Sequence, residues 1–184
     1  YSKSALSIDP GVSGVADEYV FSCNGMYDPN ISGTGHQPMG FDQIMAFYDH
    51  YTVIGARINV NFDSGDTTYP MVVGIKLDDG ATETNGDAGH MIETSSVYTI
   101  LDRAGTGDSQ AQLSLNVNPG AFLGRPAPLS EDDLRGSASA NPTEQCYFHV
   151  WAAPFTAVNA SAVNFVVSIS YVAILTEPHE LGQS

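Results

Sequence analysis

From residue 19 onward, apolar and polar residues alternate in runs long enough to predict strands. Tyr19, Phe21 and Cys23 alternate with Val20, Ser22 and Asn24, which predicts the first secure strand. The stretch GMYDPNISGTGHQPMG (25–40) then breaks all periodicity, because its glycines and prolines fit neither a long helix nor a central strand. Phe41, Ile44, Met45 and Tyr48 follow at helical spacing, one apolar stripe on a short plug helix. After His50 the period changes to two. Ile54, Ala56, Ile58, Val60 and Phe62 share one face of a long strand over 52–63, while Gly55, Arg57, Asn59 and Asn61 share the other.

The same alternation recurs along the rest of the chain. Met71, Val73, Ile75 and Leu77 predict a strand after the turn cluster 63–67, and the two strands flanking that cluster read as a hairpin. Residues 97–102 and 112–118 read as a second hairpin around the flexible AGTGDS. Residues 90–95 have room for one helical turn, and 4–8 for an edge strand. Residues 119–144 lose periodicity, with proline breakers and a short acidic helix start at Ser130. Cys146, Phe148, Val150 and Ala152 alternate with Tyr147, His149 and Trp151, and Val163 to Leu175 gives the longest alternation of all. Seven strands and one or two weaker ones need both sheet faces covered. The expected fold is all-β: a β-sandwich of two antiparallel sheets with short loop helices, of which the single jelly roll is one arrangement. Ile54, Ile58, Phe62, Phe165, Val167 and Ile169 are expected in one core.

Charge narrows the range of functions. Against 21 Asp and Glu stand six Lys and Arg, a net charge of −15 over 184 residues. Such a surface repels phosphate, so the chain is not expected to hold nucleic acid by itself. Its length suits one domain with its own core. No apolar run reaches the ~20 residues of a helical membrane span. Cys23 and Cys146 lie on apolar-patterned stretches and read as small buried hydrophobes.

Candidate chemistry is sparse. The histidines His36, His50, His90, His149 and His179 are scattered, none at metal-binding spacing, and His36 in its Gly-His-Gln-Pro turn reads as a cap on a backbone carbonyl. There is no nucleophile elbow and no phosphate loop, so no catalytic residue and no organic cofactor is expected. The oxygen-rich pairs Asp63/Asp66 and Asp78/Asp79 are of the kind calcium accepts, without the spacing of an EF-hand. They are the weak candidates for a calcium ion at a subunit contact. The aromatic residues read as packing, since base stacking would require basic neighbours that Trp151 lacks in sequence.

The order of several segments adds a family. MYDPNISGTGHQPMGFDQIMAFYDHYTVIGARINVNF, LSLNVNPGAFLG and DDLRGSASANPTEQCYFHVWAAP, closed by VNFVVSISYVAILTEPHELGQS, resemble capsid proteins of small circular single-stranded DNA viruses, the circovirus-like group. The resemblance covers well over half of the chain, and its specificity lies in order and spacing. It implies a single jelly-roll capsid domain over 1–184 and self-assembly of about sixty copies into an icosahedral shell around circular single-stranded DNA. It also implies a virion protein that passes through the host nucleus or cytoplasm during assembly. That family carries a basic arm facing the genome, and before Tyr19 the chain has only Lys3. Residues 1–16 therefore read as an N-terminal extension, with the basic arm upstream of Tyr1. The contacts between copies are expected on the loops 27–40, 78–89 and 119–144, with Met39, Phe122 and Leu123 as apolar anchors and 78–89 as an exposed tip. The competing reading is a soluble jelly-roll binding module, of carbohydrate-binding or trimeric-ligand type.

Overall fold

A computed structural model describes residues 1–32, 34–82 and 86–180, with Val12 described by its backbone alone. Nine strands are seen among these residues: β1 (Ser2–Ile8), β2 (Asp17–Ser22), β3 (Tyr48–Ser64), β4 (Met71–Asp78), β5 (Val97–Leu101), β6 (Gln110–Val117), β7 (Arg135–Ser137), β8 (Tyr147–Pro154) and β9 (Val163–Pro178). Three short helices interrupt them: α1 (Phe41–Met45), α2 (Ala88–Thr94) and α3 (Pro119–Phe122). Two 3-10 turns, Pro128–Ser130 and Asp132–Leu134, stand where the acidic helix start was expected.

The first sheet has the order β1-β9-β3-β6, with the short β7 also paired to β3; the second has the order β2-β8-β4-β5. All pairs between strands are antiparallel. The chain crosses from one sheet to the other at most connections, and this order is the double Greek key of a jelly roll. Residues 1–16, read above as an extension, contain β1, which pairs with β9 along the edge of the first sheet.

The crossings correct both expected hairpins. β3 pairs with β6, β7 and β9, whereas β4 pairs with β5 and β8 in the opposite sheet. β5 and β6 likewise belong to different sheets. A turn cluster between two alternating runs has the same local chemistry whether it closes a hairpin or carries the chain over the core, so the strand partner is set by burial of both faces.

Inward side chains of the two sheets form one core. Ile58, Val60, Phe62, Phe165, Val167 and Ile169 of the first sheet meet Met71, Val73, Ile75, Phe148 and Val150 of the second. Ile54 is the exception to the expected core. A register shift between Val53 and Gly55 in the β3–β9 pairing leaves it half-buried, and Tyr51 and Val53 take the inward positions instead. One extra residue in a strand inverts the phase of everything before it.

The outer faces of the sheets differ. Over the second sheet lies α2, capped by the Asp87 side chain, which accepts from the His90 N–H at 2.9 Å. Met91 of α2 packs with Ala16, Val72, Trp151 and Ala153 in a small second core. Trp151 is fully buried there, and its Nε1 donates to Ser95 Oγ at 2.7 Å. Gly74 permits this: a Cβ at that position would lie 2.6 Å from the indole. Among the described residues the outer face of the first sheet has no such cover, and its exposed positions include Arg57, Asn61, Gln112, Asn116, Ser170 and Val172.

Candidate subunit-contact surfaces

One end of the sandwich is built around Tyr51. Its ring is buried, and Gly136 lies so close that a Cβ there would meet the ring at 2.2 Å. Its hydroxyl accepts from the N–H groups of Met26 at 2.9 Å and Tyr27 at 3.3 Å. Burial pushes the Tyr51 phenol up to about 12, and the two N–H donors only partly oppose that. Asn141 closes the same junction: its Oδ1 accepts from the Asp28 N–H at 3.0 Å and its Nδ2 donates to the Asp28 carbonyl at 2.9 Å. The Asn-Pro-Thr segment and the 25–40 loop, far apart in sequence, are thus held as one surface. His36 joins it with ring nitrogens 2.7 Å from the Gln37 carbonyl and 3.0 Å from the Ser2 carbonyl, the backbone-capping role expected of it.

Met39 projects from this surface fully exposed. Beside it runs a groove of about 470 Å³, lined by Met26, Phe41, Ile44, Met45, Ala173 and Leu175 among others. Phe122 sits on α3, whose start is capped by the Asn118 side chain accepting from the Ala121 N–H at 3.0 Å. Phe122 is exposed, whereas Leu123 is half-buried and packs on the main core. Neither Phe122 nor Leu123 lines the groove at Met39, so the three candidate anchors occupy at least two separate places.

The α1 stripe holds more than a plug. Phe41 and Met45 are buried as the spacing predicts, but Ile44 is exposed and Phe47 beyond the helix is too. They line a second apolar groove of about 490 Å³ with Tyr48, Pro178 and His179. Helical spacing could not separate Ile44 from Met45, since five residues give too few turns to define a face. His179 fastens the end of β9 there: Nε2 lies 2.6 Å from Asp49 Oδ1 and Nδ1 lies 3.0 Å from the Ala46 carbonyl. The Asp49 hydrogen bond, then that of Ala46, raises the His179 pKa above its ordinary value.

The aspartates resolve into separate roles. Asp63 is exposed and accepts from Gln110 Nε2 at 3.1 Å. Asp66 is buried; Oδ1 accepts from the N–H groups of Thr68 and Tyr69 at 2.6 and 2.8 Å, and Oδ2 accepts from that of Ser161 at 2.7 Å. Burial opposes ionisation of Asp66, but these backbone donors outweigh it and hold the carboxyl below its usual value. Asp78 pairs with Lys76 Nζ at 2.8 Å and accepts from the Gly80 N–H at 3.0 Å, while Asp79 is exposed. β4 (Met71–Asp78) runs between the two pairs, and its seven steps span roughly 23 Å. One calcium ion cannot join them. Among the described residues no three of His, Cys, Asp and Glu group closely enough to hold a metal ion.

Near the start of the 78–89 loop, the outward side of the second sheet carries a polar cluster that the sequence did not single out. His149, fully buried, has Nδ1 2.9 Å from Glu18 Oε2 and Nε2 2.8 Å from the Gly80 carbonyl. The loop expected as an exposed tip is therefore tied at its start; residues 83–85 lie outside the described residues. Cys23 and Cys146 are both buried free thiols, as expected, and burial followed by contact with Cys146 pushes the Cys23 thiol well up.

No protein-family model and no curated protein matches the chain. Solved structures do. A chain of Desmodium yellow mottle tymovirus is similar at 13% identity and a TM-score of 0.42, over 100% of this chain and 90% of its own. A chain of an expanded equine rhinitis A virus particle, a picornavirus capsid, is similar at 10% identity and a TM-score of 0.49, over 100% of this chain and 78% of its own. A chain of the heated full particle of Israeli acute paralysis virus reaches 11% identity and a TM-score of 0.49, over 97% and 74%. At scores below 0.5 these likenesses carry none of the argument. The jelly roll rests on the strand order itself.

Proposed function

We propose that the chain is a viral coat subunit that self-assembles into a closed icosahedral shell. The observation that carries this reading is the distribution of exposed apolar side chains. Among the described residues fifteen large hydrophobic side chains are exposed, among them Met39, Ile44 and Phe47 around α1, Phe122 on α3, Tyr98 and Ile100 on the edge strand β5, Val166 and Val172 on the outer face of β9, and Tyr69 and Phe155 in the turns after β3 and β8. Apolar surface spread in several directions suits a subunit with several neighbours better than a domain with one ligand. Met39, Phe122 and Leu123 are the proposed anchors of the loop contacts, Leu123 being half-buried against the main core. The resemblance in sequence supports a circular single-stranded DNA genome as cargo, reached through a basic arm outside this chain, because −15 charges on the chain oppose DNA. Calcium at a subunit contact is proposed for Asp79 or Asp63, whose carboxylates are exposed, although Asp63 also accepts from Gln110; Asp66 is buried and held by three N–H donors, and Asp78 pairs with Lys76.

Size-exclusion chromatography followed by negative-stain microscopy tests the reading. The expected result is a particle peak containing closed shells of uniform diameter. A monomer or trimer that binds glycans would support the binding-module alternative and overturn the coat reading.

A further inference from the structure

We infer that the outer face of the first sheet is where one copy of this chain meets another. The inference rests on the coat reading and assigns a surface to it. The register of β3 with β6 and β9 fixes which side chains point outward. Arg57 stands beside Ser170 and Asn116, Asn59 beside Ser168 and Ser114, and Asn61 beside Val166 and Gln112. Across these outward positions of β3, β6 and β9, from Gly55 to Asp63 and from Asn164 to Val172, charge is carried by Arg57 and Asp63 alone, which sum to zero. Each has a partner within the face: Arg57 Nε donates to Asn59 Oδ1 at 3.2 Å, and Asp63 accepts from Gln110. The rest is amide, hydroxyl and two exposed valines, Val166 at 44% and Val172 at 59%. Towards the Asp63 end the surface dips into a trough of about 600 Å³ that includes Asn61, Gln112, Asn164 and Val166.

The charge balance identifies the occupant. Two copies at −15 repel wherever carboxylate faces carboxylate, and on a chain with 21 acids a three-strand face of zero net charge is where they approach at least cost. Contact cores between proteins are depleted in charge. Amides both donate and accept, so a surface rich in them can pair with the surface of another copy without a matching charge pattern. Nucleic acid is disfavoured, since one internally bonded guanidinium neutralises little phosphate. A sugar platform is disfavoured because none of these outward positions is aromatic.

The test is assembly of the full chain carrying Asn61→Asp and Gln112→Glu, which keep shape and add two charges. A neutral control carries Asn61→Ser and Gln112→Ser. By size-exclusion chromatography at the lowest salt at which the parent chain assembles, the acidic variant is expected to lose at least ~10-fold of its particle fraction and to regain part of it as salt rises towards ~1 M, where the Debye length is a few Å. The neutral control is expected to assemble. Val172→Asp, on the same face and away from the trough, carries the same expectation if the doubly acidic chain melts early. Parent-like assembly by well-folded acidic variants overturns the inference and leaves the coat reading standing. Normal assembly with loss of bound nucleic acid assigns the face to nucleic acid and overturns it equally. Failure of the parent chain to assemble overturns the coat reading itself.

Discussion

On the outer side of the second sheet, Lys76, Asp78, Glu18 and His149 are paired and largely buried, and Trp151 lies beneath α2. On the outer side of the first sheet, amides and hydroxyls face solvent around a single arginine, with no helix above them among the described residues. Both faces belong to long antiparallel strands with the same alternation, so pattern alone does not distinguish them. What differs is where the long connections go. The chain between β4 and β5 lays α2 over its own sheet, whereas the similarly long stretch between β6 and β7 turns inward beyond α3, with Leu123 against the main core. A face covered by its own chain stabilises the subunit; a face left bare and free of net charge is available for a neighbour.

The two faces differ most at Trp151. Trp151→Ala empties the small core under α2 and is expected to cost ~3–5 kcal/mol, comparable to Phe165→Ala in the main core. Val166→Ala on the bare face is expected to change stability by less than ~0.5 kcal/mol. Denaturant melts of the three variants check this, and equal losses at Trp151 and Val166 would erase the distinction between the faces.

A smaller effect is expected at Asp66, which joins loops from both sheets. Asp66→Ala leaves the Thr68, Tyr69 and Ser161 N–H groups without that acceptor, a loss of ~1–3 kcal/mol. The folded carboxyl has a depressed pKa, so its contribution is fully present above the unfolded value near 4 and is lost as pH falls through the lower folded value. Melting points across pH 2–6 should therefore show a steeper acid limb in the parent than in Asp66→Ala. Parallel limbs would mean that the buried carboxylate is not a source of acid sensitivity.

The smallest effect concerns His179. Its raised pKa gives a contribution present below the ordinary value of 6.5 and lost as pH rises through the raised folded value. A proton NMR titration is expected to place the imidazole above 6.5, and Asp49→Asn to bring it back towards that value. An imidazole titrating below 6.5 in the parent would show that the 2.6 Å contact does not persist in solution.

Much of this fold was legible because strand periodicity is a local property. The alternations at Met71, Phe148 and Val163 onward each mark a strand whose inward side chains are buried. Partnership between strands was not legible, because the turns at 63–67 and 103–109 carry the same residues whether they close a hairpin or cross the sandwich. The bulge beside Ile54 was hidden for a related reason: Val53 and Ile54 are both apolar, so nothing in the pattern shows which one turns outward. Among the proposed contacts, Met39 stood out as an apolar residue between breakers. The bare face did not, since asparagine, glutamine and serine at outward strand positions look like ordinary solvated surface until register sets them side by side.

Sedimentation velocity of the chain across a salt series, with and without a chelator, tests the proposed shell assembly. A shell subunit carrying −15 should assemble poorly in dilute buffer and increasingly as salt rises towards ~0.5–1 M, with calcium lowering the salt required. The expected result is a fast-sedimenting boundary that grows with salt at the expense of the monomer. A monomer at every salt concentration, or assembly that weakens steadily as salt rises, would contradict it.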